Sequence, residues 1–352
     1  MAAQVRARDL GIYVGEMEPG AHNKISDVKG VLVGHETIDT DRHKTGVTVV
    51  IPAPGNVFLN KVTAAAHVLN GFGKTLGLVQ VQELGTLETP IAMTNTLNVG
   101  LVHDALVQYT IDRCKADGFE ARSINPVVCE CNDAALNDIQ DRAVKEGHVL
   151  SAIHNACADF EEGDIGGGKG MVCYGFKGGI GSASRLMTLD GQVFTLGVLV
   201  QANYGRTADL AIQGNSVGKS VPPGWGAQND LGSIIAIAAT DLPLDARQLG
   251  RVIKRAGLGM ARLGSIMGHG SGEIIIGFTT ENRVHHLEGQ NILSQRILRE
   301  DRLDIPFRAA VECCEEAILN AMLCAGAVTG YTGERKASLK EWLIENPFKP
   351  NV

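Results

Sequence analysis

A glycine followed by a serine, Gly232-Ser233, stands between a loose loop and the apolar run Ile234-Ile-Ala-Ile-Ala-Ala239. The preceding stretch, Ser216 to Gly232, is rich in Gly and Pro and follows neither a helical nor a strand period. Such a loop can be cut without tearing a ladder apart. Glycine before the serine tolerates the strained backbone that an N-to-O acyl shift needs. A serine freed as a new N-terminus would carry its own base, since an α-amine titrates near ~7.7–8.0 and can take the hydroxyl proton at neutral pH. The same dipeptide also makes a plain turn into a buried strand, and alone it does not separate the two.

A second segment repeats the pattern. Gly270-Ser271-Gly272-Glu273 leads straight into Ile274-Ile-Ile. Two such strands joined by one helical stretch are expected to be neighbours in a sheet, with their polar beginnings on one rim. Ser233, Ser271 and Glu273 would then converge without any metal, a carboxylate beside a hydroxyl beside the nucleophile. A strand-capping serine and an edge glutamate are the plainer alternative.

Strands are expected at Val31-Gly34, Val47-Ile51, Gly77-Val81, Val127-Cys129, Gln192-Val200, Ser233-Ala239 and Glu273-Thr279. Many are continuously apolar, which implies sheets covered on both faces. Helices are expected over Lys61-Asn70, Asn98-Lys115, Leu244-Leu263 and Phe307-Leu323. Helices outside covered sheets fit a doubly wound fold or a four-layer αββα sandwich. The whole chain, 1–352, reads as one domain interrupted by a processing loop.

Composition narrows the function classes. The 352 residues are 44% hydrophobic and 20% charged, a globular profile. A formal net charge of −7 and the lack of a Lys/Arg run argue against a nucleic-acid surface. No apolar stretch reaches the length of a membrane span and no signal core opens the chain, so a cytoplasmic protein is expected. Eight cysteines (Cys114, Cys129, Cys131, Cys157, Cys173, Cys313, Cys314 and Cys324) show no zinc spacing and read mostly as buried thiols.

Several familiar motifs fail on inspection. Gly71-Phe-Gly-Lys-Thr75 has Val68 where a phosphate loop needs its first glycine, and Gly214-Asn-Ser-Val-Gly-Lys-Ser220 is one residue short. Neither follows a core strand, so nucleotide binding is set aside. Gly166-Gly-Gly-Lys-Gly170 and Gly178-Gly-Ile-Gly181 fit turns or a bulged hairpin better than a dinucleotide fingerprint, although their backbone amides could line a site. No histidine lies in HExxH and no serine in GxSxG. No metal or cofactor is expected.

Taken in order, nine segments resemble the DmpA-like L-aminopeptidase/D-Ala-esterase/amidase family, self-processing serine aminopeptidases that include the β-peptidyl aminopeptidases. They are Ile25-Ser-Asp-Val-Lys-Gly-Val-Leu-Val-Gly-His35, Asn70-Gly-Phe-Gly-Lys74, Glu83-Leu-Gly-Thr-Leu-Glu-Thr-Pro-Ile91, Thr94-Asn-Thr-Leu97, Leu136-Asn-Asp-Ile139, Gly166-Gly-Gly-Lys-Gly-Met-Val-Cys-Tyr174, Val198-Leu-Val-Gln-Ala-Asn-Tyr-Gly205, Gly232-Ser233 and Ser271-Gly-Glu273. The resemblance implies a four-layer αββα fold of the N-terminal-nucleophile hydrolase kind, with autocleavage between Gly232 and Ser233 into chains 1–232 and 233–352. It implies Ser233 as nucleophile, Ser271 and Glu273 in support, Asn203 at the oxyanion and Glu130 as anchor for the substrate's free amine. Small peptides, amino-acid amides or esters are the implied substrates, and a tetramer the implied assembly. The chain departs at Glu130-Cys131-Asn132-Asp133, where the family carries Glu-Thr-Tyr-Asp. Asn132 therefore replaces a tyrosine that donates near the oxyanion, and an amide can donate too, with altered geometry. The rivals are acyl transfer of the ornithine acetyltransferase type, which uses a threonine nucleophile, and an unprocessed binding or scaffold protein.

Overall fold

A computed structural model describes residues 4–222, 225, 232–287, 289 and 291–347. Two sheets stack face to face. The first has four strands in the order β1 (Leu32–Asp39), β2 (Lys44–Ile51), β5 (Ile91–Asn95) and β6 (Val127–Cys131). In the second, β4 (Thr86–Leu87), β3 (Asn60–Gly71), β12 (Ser271–His285), β11 (Gly232–Thr240), β10 (Gln192–Asn203) and β9 (Gly179–Leu189) lie side by side. Between β6 and β9, a small hairpin pairs β7 (Val172–Cys173) with β8 (Phe176–Lys177).

Strand alternation explains the layering. Along β11, Ile235, Ile237 and Ala239 enter an apolar layer with Val33, Val50, Ile91, Met93 and Val127 of the other sheet. Their neighbours Ile234, Ala236 and Ala238 face the opposite way, into a core with Leu249, Val252, Met260 and Ile318. Those residues belong to α4 (Ala246–Ile253), α5 (Ala256–Arg262) and α6 (Asp304–Leu323). On the far side, Val47, Val49, Ala92 and Val128 pack on Val102, Leu106 and Val149 of α2 (Val99–Ala116) and α3 (Glu146–His154). The order of layers is helix, sheet, sheet, helix, the αββα sandwich expected. Strands β2, β5, β6, β10, β11 and β12 are buried along both faces over most of their length, as continuous apolar runs require, whereas Val68 and Leu69 near the end of β3 are exposed.

Three element assignments differ from the sequence reading. Lys61-Asn70, expected as a helix, lies in β3 between β4 and β12. Its Ala64-Ala-Ala66 run favours a helix locally, but pairing on both edges overrides that propensity. Small side chains suit this strand because α4 packs closely on it, with Gly250 beside Ala65. Gly77-Val81, expected as a strand, instead opens the short helix α1 (Leu78–Leu84), entered through Gly77 at φ 87°. Five residues, three of them aliphatic, cannot by themselves distinguish the two. The stretch 244–263 breaks at Lys254-Arg255 into α4 and α5.

Of the expected processing loop, residues 223–224 and 226–231 lie outside the described residues. The chain approaches it through a short 3-10 turn at Val217–Ser220. A buried ion network ties the N-terminal segment to α6. Arg185 donates from Nε to Glu312 at 2.9 Å and from Nη2 to Glu316 at 2.6 Å, while Arg8 Nε reaches Glu316 at 2.9 Å. Its arginines lie before Gly232 and its glutamates after Ser233. Among the described residues, no helix is long and apolar enough to cross a membrane.

Candidate active site

The site grows from three adjacent strand ends. Because β10 runs antiparallel to β11, its last residue, Asn203, lies directly opposite Ser233. Strand β12 runs parallel to β11 through the α4–α5 crossover, which sets Ser271 beside Gly232, Gly272 beside Ser233 and Glu273 beside Ile234. The two polar strand beginnings therefore share one rim, as their repeated pattern suggested.

Gly232 and Ser233 are held in a telling geometry. Gly232 adopts φ 147°, a region that L side chains rarely enter, and an added Cβ would stand 1.9 Å from the Asn203 carbonyl oxygen. Only glycine lets the strand approach Asn203 this closely. Ser233 is buried, and its hydroxyl donates to the Gly232 carbonyl oxygen at 2.7 Å. The hydroxyl thus lies against the peptide unit whose carbonyl carbon an N-to-O shift would attack.

Around it, the supporting groups are already committed. Ser271 donates from its hydroxyl to Glu273 Oε1, both side chains being fully buried. Asn70 Nδ2 donates to the carbonyls of Ser271 at 2.6 Å and Gly268 at 2.8 Å, fixing the entry of β12. Asn203 is anchored at both ends of its amide. Oδ1 accepts from Val172 N at 2.8 Å, and Nδ2 donates to the Asn132 carbonyl at 2.9 Å. With Oδ1 held by a backbone donor, the amide cannot flip, and its N–H₂ end must face the rim.

The other sheet supplies the end of β6. Cys131 Sγ contacts the Ser233 carbonyl at 3.4 Å and that of Gln201 at 3.5 Å, so the sheets are stitched together directly beneath the rim. Burial pushes the Cys131 thiol well above its usual range, consistent with a neutral packing role. Glu130 is buried, with Oε1 accepting from Lys74 N at 2.9 Å and Oε2 accepting from the Thr96 hydroxyl. Among the described residues no cation pairs with it. A buried carboxylate held by two neutral donors is an uncompensated charge, and a ligand ammonium would compensate it. Asn132 is exposed. Its Oδ1 accepts from Ala134 N at 3.0 Å, and its backbone carbonyl, not its side chain, meets Asn203.

The structure therefore gathers Asn203, Ser233, Ser271 and Glu273 on one sheet edge, with Glu130 and Asn132 contributed by the facing sheet. Sequence reasoning missed the groups that hold them: Asn70, Thr96, Cys131 and the Val172 amide. Asn70 and Thr96 were visible only as motif members without a role. Val172 acts through its backbone, which no residue type announces.

Comparisons with known proteins agree with this arrangement. The sequence matches peptidase family S58 over residues 23–336. A β-peptidyl aminopeptidase of Sphingosinicella microcystinivorans is 40% identical, the match covering 93% of this chain and 88% of that one. A Pyrococcus horikoshii OT3 protein superposes with a TM-score of 0.91 at 44% identity, over 97% of this chain and 98% of that one. The L-aminopeptidase D-Ala-esterase/amidase of Ochrobactrum anthropi, described as a prototype serine aminopeptidase with a variant Ntn hydrolase fold, superposes with a TM-score of 0.89 at 36% identity, over 97% and 98% of the two chains.

Proposed function

Because this chain belongs to peptidase family S58 and is an aminopeptidase of the Ntn hydrolase fold, we propose that it activates itself by cleavage at Gly232–Ser233 and then uses Ser233 as its nucleophile. The observation that carries this is the Ser233 hydroxyl seated on the Gly232 carbonyl, opposite Asn203 and beside the Ser271–Glu273 pair. In processing, Ser233 Oγ attacks the Gly232 carbonyl carbon, the C–N bond breaks and an ester forms. Water then releases the Gly232 carboxylate and leaves Ser233 with a free amine.

In turnover that amine takes the hydroxyl proton as Oγ attacks the carbonyl of the substrate's first residue. Asn203 donates to the developing oxyanion, with Asn132 in place to donate a second bond from its exposed amide. The amine returns its proton to the leaving amine, the acyl group stays on Oγ, and water hydrolyses that ester. Glu130 binds the substrate ammonium, and Glu273, through Ser271, stabilises the ammonium formed on Ser233.

Cleavage need not part the two chains. Strand β11 stays paired between β10 and β12, and the Arg185–Glu312–Glu316–Arg8 network crosses from one product to the other. One domain of two processed chains, in the cytoplasm and assembled as a tetramer, completes the proposal. The curated relative makes β-amino acyl peptides the first substrates to assay, and the Ochrobactrum enzyme adds L-aminoacyl amides and D-alanyl esters. Serine at 233 argues against acyl transfer of the threonine-dependent type, and the retained Ser271 and Glu273 argue against a scaffold.

The test is a paired assay. A free-amine peptide should lose its first residue, and the same peptide N-acetylated should be cut at least about 100-fold more slowly, since it lacks the charge Glu130 needs. Equal rates on the two would remove the aminopeptidase reading.

A further inference from the structure

Apart from the Val172 amide, the glycine-rich segment 166–178 has no part in the chemistry above, yet the structure builds it around one buried charge. Lys177 is fully buried on β8, and its Nζ donates to three carbonyl oxygens: Gly168 at 3.0 Å, Met171 at 2.8 Å and Gly178 at 2.7 Å. An ammonium has three N–H groups, and here each finds an acceptor. Among the described residues no carboxylate lies within ion-pair distance of it. The cage draws the segment into a tight turn, closed further by Gly178 N donating to the Met171 carbonyl at 2.9 Å. Gly178 has no room for a side chain, since a Cβ would stand 2.3 Å from the Ala202 carbonyl oxygen.

The turn delivers one group to the site. Met171, whose carbonyl Lys177 holds, immediately precedes Val172, whose amide donates to Asn203 Oδ1 at 2.8 Å. A second clamp follows two residues on, where Tyr174 N donates to the Tyr204 carbonyl at 2.8 Å. We propose that Lys177 is a positioning residue for the oxyanion donor: its ammonium holds the 168–178 turn so that the Val172 amide fixes the orientation of the Asn203 side chain. This rests on the serine-aminopeptidase reading and deepens it. A half-ångström error in an oxyanion donor costs rate without costing ground-state binding, because the donor meets full charge only in the transition state.

The electrostatics add a signature. Burial pulls the Lys177 pKa down to about 7; Asp164, Cys173 and Asp133 favour its charged form, and Lys169 opposes it. Lys169 is itself paired with Asp164 at 2.9 Å and Asp39 at 2.8 Å, and burial pushes Asp133 up to about 7. As pH rises through the Lys177 pKa the ammonium loses a proton. One of the three carbonyl oxygens then faces a lone pair instead of a donor, and the cage loosens. The kcat–pH profile should therefore carry an alkaline limb that KM does not share.

The test compares wild type with K177M and K177Q, each checked by thermal melting. In folded variants, kcat should fall at least about 30-fold with KM changed by less than about threefold. In an Asn203→Ala background the same substitution should cost less than about threefold, because the two residues act as one unit. A folded K177M with wild-type kcat, or a loss fully additive with Asn203→Ala, overturns the proposal. Should both variants misfold, wild type carries the test, assayed at a temperature where it stays folded: a kcat that falls on the alkaline side of its maximum while KM holds supports it, and a kcat that reaches its plateau with no alkaline fall overturns it. A wild-type chain that neither cleaves itself nor turns over peptide overturns this proposal together with the reading beneath it, whereas wild-type activity that K177M leaves unchanged removes only the role of Lys177.

Discussion

Ser233→Ala should give a folded, uncut chain whose peptide turnover is at least roughly 10⁴-fold below wild type, the scale seen when a covalent nucleophile is removed. The substitution deletes only a hydroxyl that bonds its own neighbour's carbonyl. Strand β11 keeps its ladders to β10 and β12, and its apolar side chains keep both cores. Melting temperature should therefore hold while both chemical activities vanish together. Their joint loss is the informative part, since one oxygen would attack the Gly232 carbonyl once and the substrate carbonyl at every turnover. Gel electrophoresis and a peptide-release assay on one preparation read both. Cleavage at the same bond in the Ala variant would show that another group performs it.

Glu130→Gln should also lower activity without lowering stability. The wild-type carboxylate is buried with two neutral donors, Lys74 N and the Thr96 hydroxyl. Glutamine keeps an acceptor for Lys74 N, and the threonine hydroxyl can rotate to accept from the new amide. Removing a buried charge that has no cation partner should leave the melting temperature unchanged or raised. Binding of a substrate ammonium loses a charge-assisted contact of about 3 kcal/mol, or roughly 150-fold in kcat/KM. N-acetylated peptides, already lacking the charge, should respond little. An unchanged kcat/KM for free-amine peptides would take Glu130 out of substrate recognition.

The sequence made the rim legible because its chemistry lies at strand beginnings. Gly232-Ser233 and Ser271-Gly272-Glu273 each precede an apolar run, and two such runs joined by a helical stretch are expected as neighbours in one sheet, which β11 and β12 are, in parallel. Strands without alternation need cover on both faces, which left a doubly wound fold and an αββα sandwich open, and only the family resemblance selected the latter. What stayed hidden depends on pairing across long separations. The alanine run of β3 looks helical until β12 and β4 take its two edges. Gly77-Val81 offers too few residues for a period to decide, and a glycine at positive φ turns it into a helix. At the site, side chains with a functional type could be found, whereas the backbone groups that hold them could not. The amides of Lys74 and Val172 fix Glu130 and Asn203, and nothing in their residue types marks that work.

The resemblance also set one expectation that the geometry reshapes. Asn132, in place of a tyrosine, does not turn its side chain onto Asn203; its carbonyl accepts from Asn203 Nδ2, and its own amide stands exposed at the rim. Each amide N–H₂ has a second hydrogen. In Asn203 that second hydrogen is the one left for an oxyanion.

Self-cleavage at Gly232–Ser233 can be read from the denatured mass of freshly purified protein together with N-terminal sequencing of each fragment. Two chains are expected, the smaller beginning Ser-Ile-Ile-Ala, the pair inseparable until denatured. An intact chain of 352 residues that nevertheless releases amino acids from peptides would contradict it, because Ser233 would then have no free amine to serve as base.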